Sequence, residues 1–260
     1  VQENALVLLL RVLSDQTDSN TACYHTLAAL AQELEVALAA VTQPSVPPSP
    51  TQLATVDAFL ARIVPAYEAQ MYRRVARVVG AREQPYKFLY AFELEDANIF
   101  FGREEATKTL QRTVLKDRLA ILHAKSGAGK TSLLNAGLSP RLIREGRLPV
   151  YARAYQDPVQ AIKRAIASPA AELWPQVLSQ LSLHAFLTRA CGHLSRQTQE
   201  LVIILDQFEE FFIFWPEREH RQRFIYALTE CYEDKTLPLR FVIGIRSDYS
   251  RTWRPSKSAS

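Results

Sequence analysis

The stretch Ala124-Lys125-Ser126-Gly127-Ala128-Gly129-Lys130-Thr131-Ser132 places a lysine and two hydroxyls behind a pair of glycines. These groups suit a polyphosphate. Gly127 and Gly129 can take backbone angles closed to bulkier residues, so the amides from Ser126 through Ser132 can turn inward around an anion. At a helix start, those amides also present the positive end of the helix. Lys130 would reach the β- and γ-phosphates of a nucleoside triphosphate, and Thr131 would offer its hydroxyl to Mg²⁺. The spacing fits G-x-x-x-x-G-K-[ST] except at Ala124, where the pattern begins with glycine. Either the turn has ordinary angles there, or triphosphate binding is weakened. The bland alternative is a glycine-rich turn with a chance lysine.

A second group lies in LVIILDQFEEFF, Leu201 to Phe212. Asp206 closes an apolar run. It is expected to steady Mg²⁺, through water, from the strand neighbouring the glycine loop. Glu209 and Glu210 follow within one turn. Either carboxylate could orient an attacking water, with Glu210 narrowly preferred. The competing reading is a helix first turn that favours acids because of its dipole. Arg246 ends the apolar run LRFVIGIR. If that strand lies beside the one before the glycine loop, Arg246 points towards the γ-phosphate. Otherwise it is a solvated arginine, paired with Asp248.

The elements that must position these groups follow from periodicity. Residues 2–13 and 21–41 read as helices, followed by QPSVPPSP from Gln43 to Pro50. Ser49-Pro50-Thr51-Gln52 is a helix start, with Ser49 as cap and Gln52 reaching back. Apolar residues at helical spacing run to about Val79, with Pro65 expected to kink or divide the helix. Residues 1–80 thus read as an N-terminal helical region: effector, adaptor or packing arm. The texture changes at Pro85. A helix is expected from Gly102 to about Asp117, with Glu104 and Lys108 paired across one turn. Strands are expected at Leu119–Ala124, 149–154, 201–206 and 239–248, and helices at 131–138, 158–167, 174–190 and 218–232. Continuous apolar runs such as LVIILD mark strands buried on both faces. The alternation with helices argues an α/β fold with a parallel sheet over residues 85–250, then a tail at 251–260.

Bulk properties narrow the classes. The chain has 260 residues, room for one large domain or a medium one with a smaller companion. Net charge is +4, split as −5 over residues 1–60 and +9 beyond. The positive portion could meet phosphates, an acidic domain or nucleic acid. No helicase-like aromatic and basic array supports nucleic acid, so a nucleic-acid-stimulated ATPase ranks below the other readings. The three cysteines, Cys23, Cys191 and Cys231, are scattered and odd in number, which favours reduced thiols in a cytoplasmic protein. No apolar run is long enough to span a membrane. His25, His123, His184, His193 and His220 read as surface or core histidines, with no catalytic constellation around them.

The motifs together resemble a STAND-class P-loop NTPase, specifically the bacterial group called novel STAND NTPase 1. The carrying segments are PYKFLYAFELEDANIFFGRE at 85–104, SGAGKTSLLNAGLSPRL at 126–142, LVIILDQFEEFF at 201–212 and LRFVIGIRSDY at 239–249. The resemblance implies that the segment ending in FFGRE wraps the base and sugar, making Phe101, Gly102 and Arg103 adenine-side candidates. It implies phosphate-loop roles for Lys130 and Thr131, a metal role for Asp206, a hydrolytic role for Glu209 and Glu210, and a sensor role for Arg246. Ala136 to Leu142 is a hallmark with a structural role. It further implies a molecular switch in bacterial signalling or immunity that binds ATP or ADP with Mg²⁺. Hydrolysis would be slow, and subunits would associate on activation. The resemblance covers residues to about 250 and implies a fifth strand, helical lid, winged helix and sensor domain beyond that portion. An inactive nucleotide-bound interaction module is the main competing expectation.

Overall fold

The computed structural model describes residues 48–77, 90–153, 157–169, 177–215 and 218–247. The helices expected at 2–13 and 21–41, residues 85–89, the helix start at Trp174-Pro175, Asp248 and the tail lie outside the described residues.

Four parallel strands form one sheet: β1 (Leu119–Ala124), β2 (Arg147–Arg153), β3 (Glu200–Asp206) and β4 (Leu239–Arg246), in the order β1-β4-β3-β2. The fold is α/β, as its strand–helix alternation predicts. The condition set for Arg246 is met, because β4 pairs with β1 and brings Ala124 opposite Arg246. The expectation that β3 neighbours β1 is corrected. β4 lies between them, so Asp206 must reach across a whole strand.

Side chains alternate between two apolar layers. One face of the sheet buries Ala120, Val202, Ile204 and Val242 against Leu110 and Val114 of α2 (Glu104–Lys116) and against Leu133, Leu134 and Leu138. The other buries Val150, Ile203, Leu205, Phe241 and Ile243 under α5 (Pro158–Ile166), α7 (Leu183–Gly192) and α9 (Arg218–Glu233). At the starting edge of the sheet, Glu200 bridges Arg147 at 3.0 Å and Arg240 at 2.6 Å, tying three strands together.

The long helix α1 (Pro50–Arg77) opens with the expected capping box. The Ser49 amide donates to Gln52 Oε1 at 2.7 Å, and the Gln52 amide to Ser49 Oγ at 3.3 Å. Pro65 does not divide the helix. It lies on the exposed side with Ala61, whose carbonyl loses its helical donor and can turn to water, while Val64 and Tyr67 hold the other side in the core. Tyr67 donates to the Pro149 carbonyl at 2.8 Å, Glu68 accepts from Ser195 and Thr198, and Arg74 grips Glu95 at 2.6 Å. The helix therefore packs into the same apolar cluster as the sheet.

Two helices depart from expectation. The helix after the glycine loop does not stop at Leu138. It runs from α3 (Lys130–Ser132) through a π-helical stretch, Leu133–Leu138, into α4 (Ser139–Arg144). Pro140 lacks an amide. The wider π turn instead sends both the Ser139 amide and its hydroxyl, at 2.8 Å, to the Leu134 carbonyl. The helix expected over 174–190 is broken at Leu181 and Ser182, between α6 (Val177–Gln180) and α7. There the buried Lys163 ammonium takes the Leu178 and Leu181 carbonyls at 2.8 and 2.6 Å, and Ser182 caps α7. Nearer the site, Lys108 pairs with Glu105 at 2.8 Å instead of Glu104, which accepts the Gly102 amide at 3.0 Å.

Candidate functional site

The glycine loop spans the gap from the end of β1 to the start of α3. Gly127 and Gly129 hold φ of 73° and 81°, the left-handed angles that direct successive amides to one side. Ala124 needs no glycine, since among described non-glycine residues only Gln207 has positive φ. The Ala124 carbonyl accepts the Ser247 amide at 3.0 Å and Lys130 Nζ at 3.2 Å. Lys130 also reaches the Lys125 carbonyl at 3.4 Å, so its ammonium lies folded along the loop.

Behind the loop, Thr131 Oγ1 donates to Asp206 Oδ2 at 2.6 Å. The meeting is possible because Gly244 stands between them on β4. A Cβ there would lie 2.8 Å from Asp206 Oδ1 and 3.3 Å from the Leu134 side chain. Asp206 is fully buried, and Oδ1 has no protein partner. Tyr151, from β2, donates to the same Oδ2 that receives Thr131. Its phenol is pushed well above its ordinary pKa by burial and then by the Asp206 charge, so it remains a donor. A buried carboxylate with an orphaned oxygen, beside a hydroxyl at a phosphate-type loop, fits a hydrated divalent cation. Thr131 and Asp206 would hold it, together with substrate phosphates.

After Asp206 the chain turns sharply. Gln207 takes φ 53°, and the Phe208 amide returns to the Gly244 carbonyl at 2.8 Å. This turn starts α8 (Glu209–Phe214) against the ends of β3 and β4. Glu209 is buried and accepts the Arg246 backbone amide at 3.1 Å, which ties α8 to β4. Glu210 is half-buried, with Oε2 enclosed and unpartnered. The two glutamates therefore differ in what they can do: one is committed to the backbone, and the other keeps an acceptor.

The segment before α2 crosses the loop. Arg103 donates to the Ala128 carbonyl, and its guanidinium lies 3.4 Å from where a Gly129 Cβ would stand. It thus joins the phosphate loop. Phe101 is 74% exposed, and Gly102 turns with φ 77°. The hydroxyl of Ser132 accepts the Phe92 amide at 3.0 Å and so fastens this segment to α3, while Phe92 and Phe100 pack at 5.4 Å. The remaining histidines with assigned contacts are structural: His184 pairs with Asp234 at 2.9 Å, and His220 packs edge-on to Trp215.

Sequence reasoning passed over Tyr151 and Gly244. A glycine inside the bulky run FVIGIR was the available signal for a close approach. Tyr151 carried no signal until β2 was known to flank β3.

The model of the novel STAND NTPase 1 family matches residues 85–258. The chain belongs to this family. No curated protein sequence matches it. Among solved structures it is similar to the Aeropyrum pernix ORC2 protein in ADPNP–ADP complexes, at 17% identity and a TM-score of 0.44. That match covers 63% of this chain and 44% of the other, so the chain spans less than half of that structural relative. In this NTPase core the family match takes in the loop, Asp206, both glutamates and Arg246.

Proposed function

We propose that this chain is the nucleotide-binding core of a molecular switch that binds ATP and hydrolyses it slowly to ADP and phosphate. The observation that carries this reading is the 2.6 Å bond between Thr131 and Asp206, at the end of a loop whose two glycines hold left-handed φ angles. On this reading the loop amides and Lys130 bind the β- and γ-phosphates. Ser126, Ala128 and Ser132 contribute backbone amides, that of Ala128 leaving the Lys125 carbonyl it meets at 3.3 Å. Mg²⁺ would supply charge neutralisation between the phosphates when bound. Lys130 leaves the Ala124 carbonyl for the phosphates. Glu210 orients a water and accepts its proton, while Glu209 fixes the turn on which Glu210 stands. Arg246, at the end of β4, responds to the γ-phosphate. Phe101 and Gly102 serve the base side, and Arg103 links that side to the loop. Rate enhancement comes from positioning and from fixed dipoles aimed at the transferring phosphoryl group.

The family resemblance adds the wider setting. A lid, a winged helix and a sensor would close over the nucleotide, and the protein would associate with its own copies on activation. The output would serve bacterial signalling or immunity. Calorimetric titration of ATP and ADP into wild type and Lys130→Ala, beside phosphate release, tests the core claim. Micromolar binding lost in Lys130→Ala is expected. Equal affinity in both proteins overturns it, and binding without turnover would leave a nucleotide-held scaffold.

A further inference from the structure

Asp206 Oδ2 receives two hydroxyls, Thr131 from the loop helix and Tyr151 from β2. The register explains how β2 reaches so far. Arg153 is opposite Asp206, and Tyr151 opposite Ile204, so Tyr151 starts two residues earlier and on the same face. Only a long side chain angled along the strand can close that gap, and only one ending in a donor can satisfy a buried carboxylate. A phenylalanine would fill the same space and leave Oδ2 with Thr131 alone. Meanwhile Oδ1 lies on the side of Gly244, where a Cβ would crowd it, and makes no bond. Oδ2 is therefore held from both sides while Oδ1 keeps its free acceptor beside Gly244, so the two hydroxyls fix the rotation of the carboxylate.

We propose that Tyr151 is a positioning residue for the metal-binding carboxylate. Its phenol holds Asp206 in the orientation that meets Thr131 and so sets how strongly metal-loaded nucleotide is retained. The inference rests on the nucleotide reading above. Tyr151 meets the site at Asp206 and Thr131, the pair that would hold the metal. Its effect passes through Asp206, so it must appear in the metal-dependent part of binding and not in the rest. A hydrogen bond to a charged group is strong enough for its loss to alter an equilibrium about tenfold.

The experiment is a titration of ADP into wild type, Tyr151→Phe, Asp206→Asn and Lys130→Ala, each with Mg²⁺ and with EDTA, with thermal melting as the check on folding. Wild type is expected to bind more tightly with Mg²⁺. Tyr151→Phe should lose about tenfold of that gain and keep wild-type affinity in EDTA, and Asp206→Asn should lose nearly all of the gain. If Tyr151→Phe keeps the full gain, binds better with Mg²⁺, or weakens equally with and without metal, the positioning role is wrong and the nucleotide reading stands. If wild type binds no nucleotide, both fall together.

Discussion

Thr131 and Asp206 lie 2.6 Å apart, hydroxyl to carboxylate, although they belong to elements on opposite sides of β4. One step beyond the Leu205–Ile243 pair, Asp206 stands level with Gly244, and opposite Leu122 of β1 the same glycine leaves the space open. The contact at the heart of the site therefore depends on a residue that contributes no functional group.

Gly244→Ala should test that dependence directly. Alanine normally strengthens a strand relative to glycine, by about 0.5–1 kcal/mol. Here its methyl would lie 2.8 Å from Asp206 Oδ1 and 3.3 Å from Leu134. Overpacking of this kind costs about 1–3 kcal/mol. The expected outcome is a lower urea midpoint together with weaker Mg²⁺-dependent nucleotide binding. A variant as stable as wild type, with its metal dependence intact, would mean that the carboxylate yields without consequence.

The neighbouring glutamates should separate by phenotype. Glu209 holds the Arg246 amide, so Glu209→Gln weakens a buried charged hydrogen bond and should lower stability by about 1 kcal/mol. Glu210 keeps Oε2 without a hydrogen-bond partner. Its replacement by glutamine should spare nucleotide affinity and slow single-turnover hydrolysis by about a hundredfold or more. Thermal melts and single-turnover assays on both variants decide the matter. Turnover lost in Glu209→Gln but retained in Glu210→Gln would reverse the assignment.

Much of this was legible in the residues themselves, and the reason is local. LAILHA is an apolar run with a glycine loop behind it, and it forms β1 over the expected residues, Leu119–Ala124. The types and order of Lys130, Thr131 and Asp206 suggested one polar cluster before any strand order was known. What escaped was whatever depends on which strand lies beside which. Tyr151 matters only because β2 flanks β3, and Gly244 only because β4 separates β3 from β1. Pro65 was read as a kink or break from local sterics, and the helix after the glycine loop as ending near Leu138. In both cases the flanking apolar residues, Val64 with Tyr67 and Leu138 with Leu142, are buried and carry the helical path onward. The break after Gln180 could not be read at all, since it is answered by Lys163, fifteen to eighteen residues earlier.

The strand-edge ion cluster predicts an acid limb. Burial works to raise the Glu200 carboxyl, but the hydrogen bonds and charges of Arg240 and Arg147 outweigh it and hold the group below its ordinary range. A carboxyl lowered on folding stabilises the fold above its unfolded pKa, about 4.3, and that stability is lost as pH falls through the folded value. Wild type should therefore exceed Glu200→Gln in stability at pH 7, and the gap should narrow below about pH 4. Urea melts at pH 7, 5 and 3.5 measure this. A gap that stays constant down to pH 3.5 would show that the cluster contributes packing and not charge.

Lys163 predicts the opposite limb. Its side chain is fully buried, and burial lowers its pKa to about 8, against the pull of the Asp157 charge. A lysine lowered on folding binds fewer protons when folded than when unfolded, so the fold gains stability as pH rises from the folded value towards the unfolded one near 10.4. At neutral pH the buried ammonium carries a desolvation cost, offset by the Leu178 and Leu181 carbonyls that receive its protons. Lys163→Met removes both the cost and the bonds and has no titration of its own. Between pH 7 and 9.5 wild type should gain about 2 kcal/mol relative to that variant, at 1.36 kcal/mol per pH unit above the folded pKa. Paired urea melts across that range isolate the difference from tyrosines common to both proteins. A flat difference would place the Lys163 pKa near its unperturbed value and leave its two carbonyl bonds as its whole contribution.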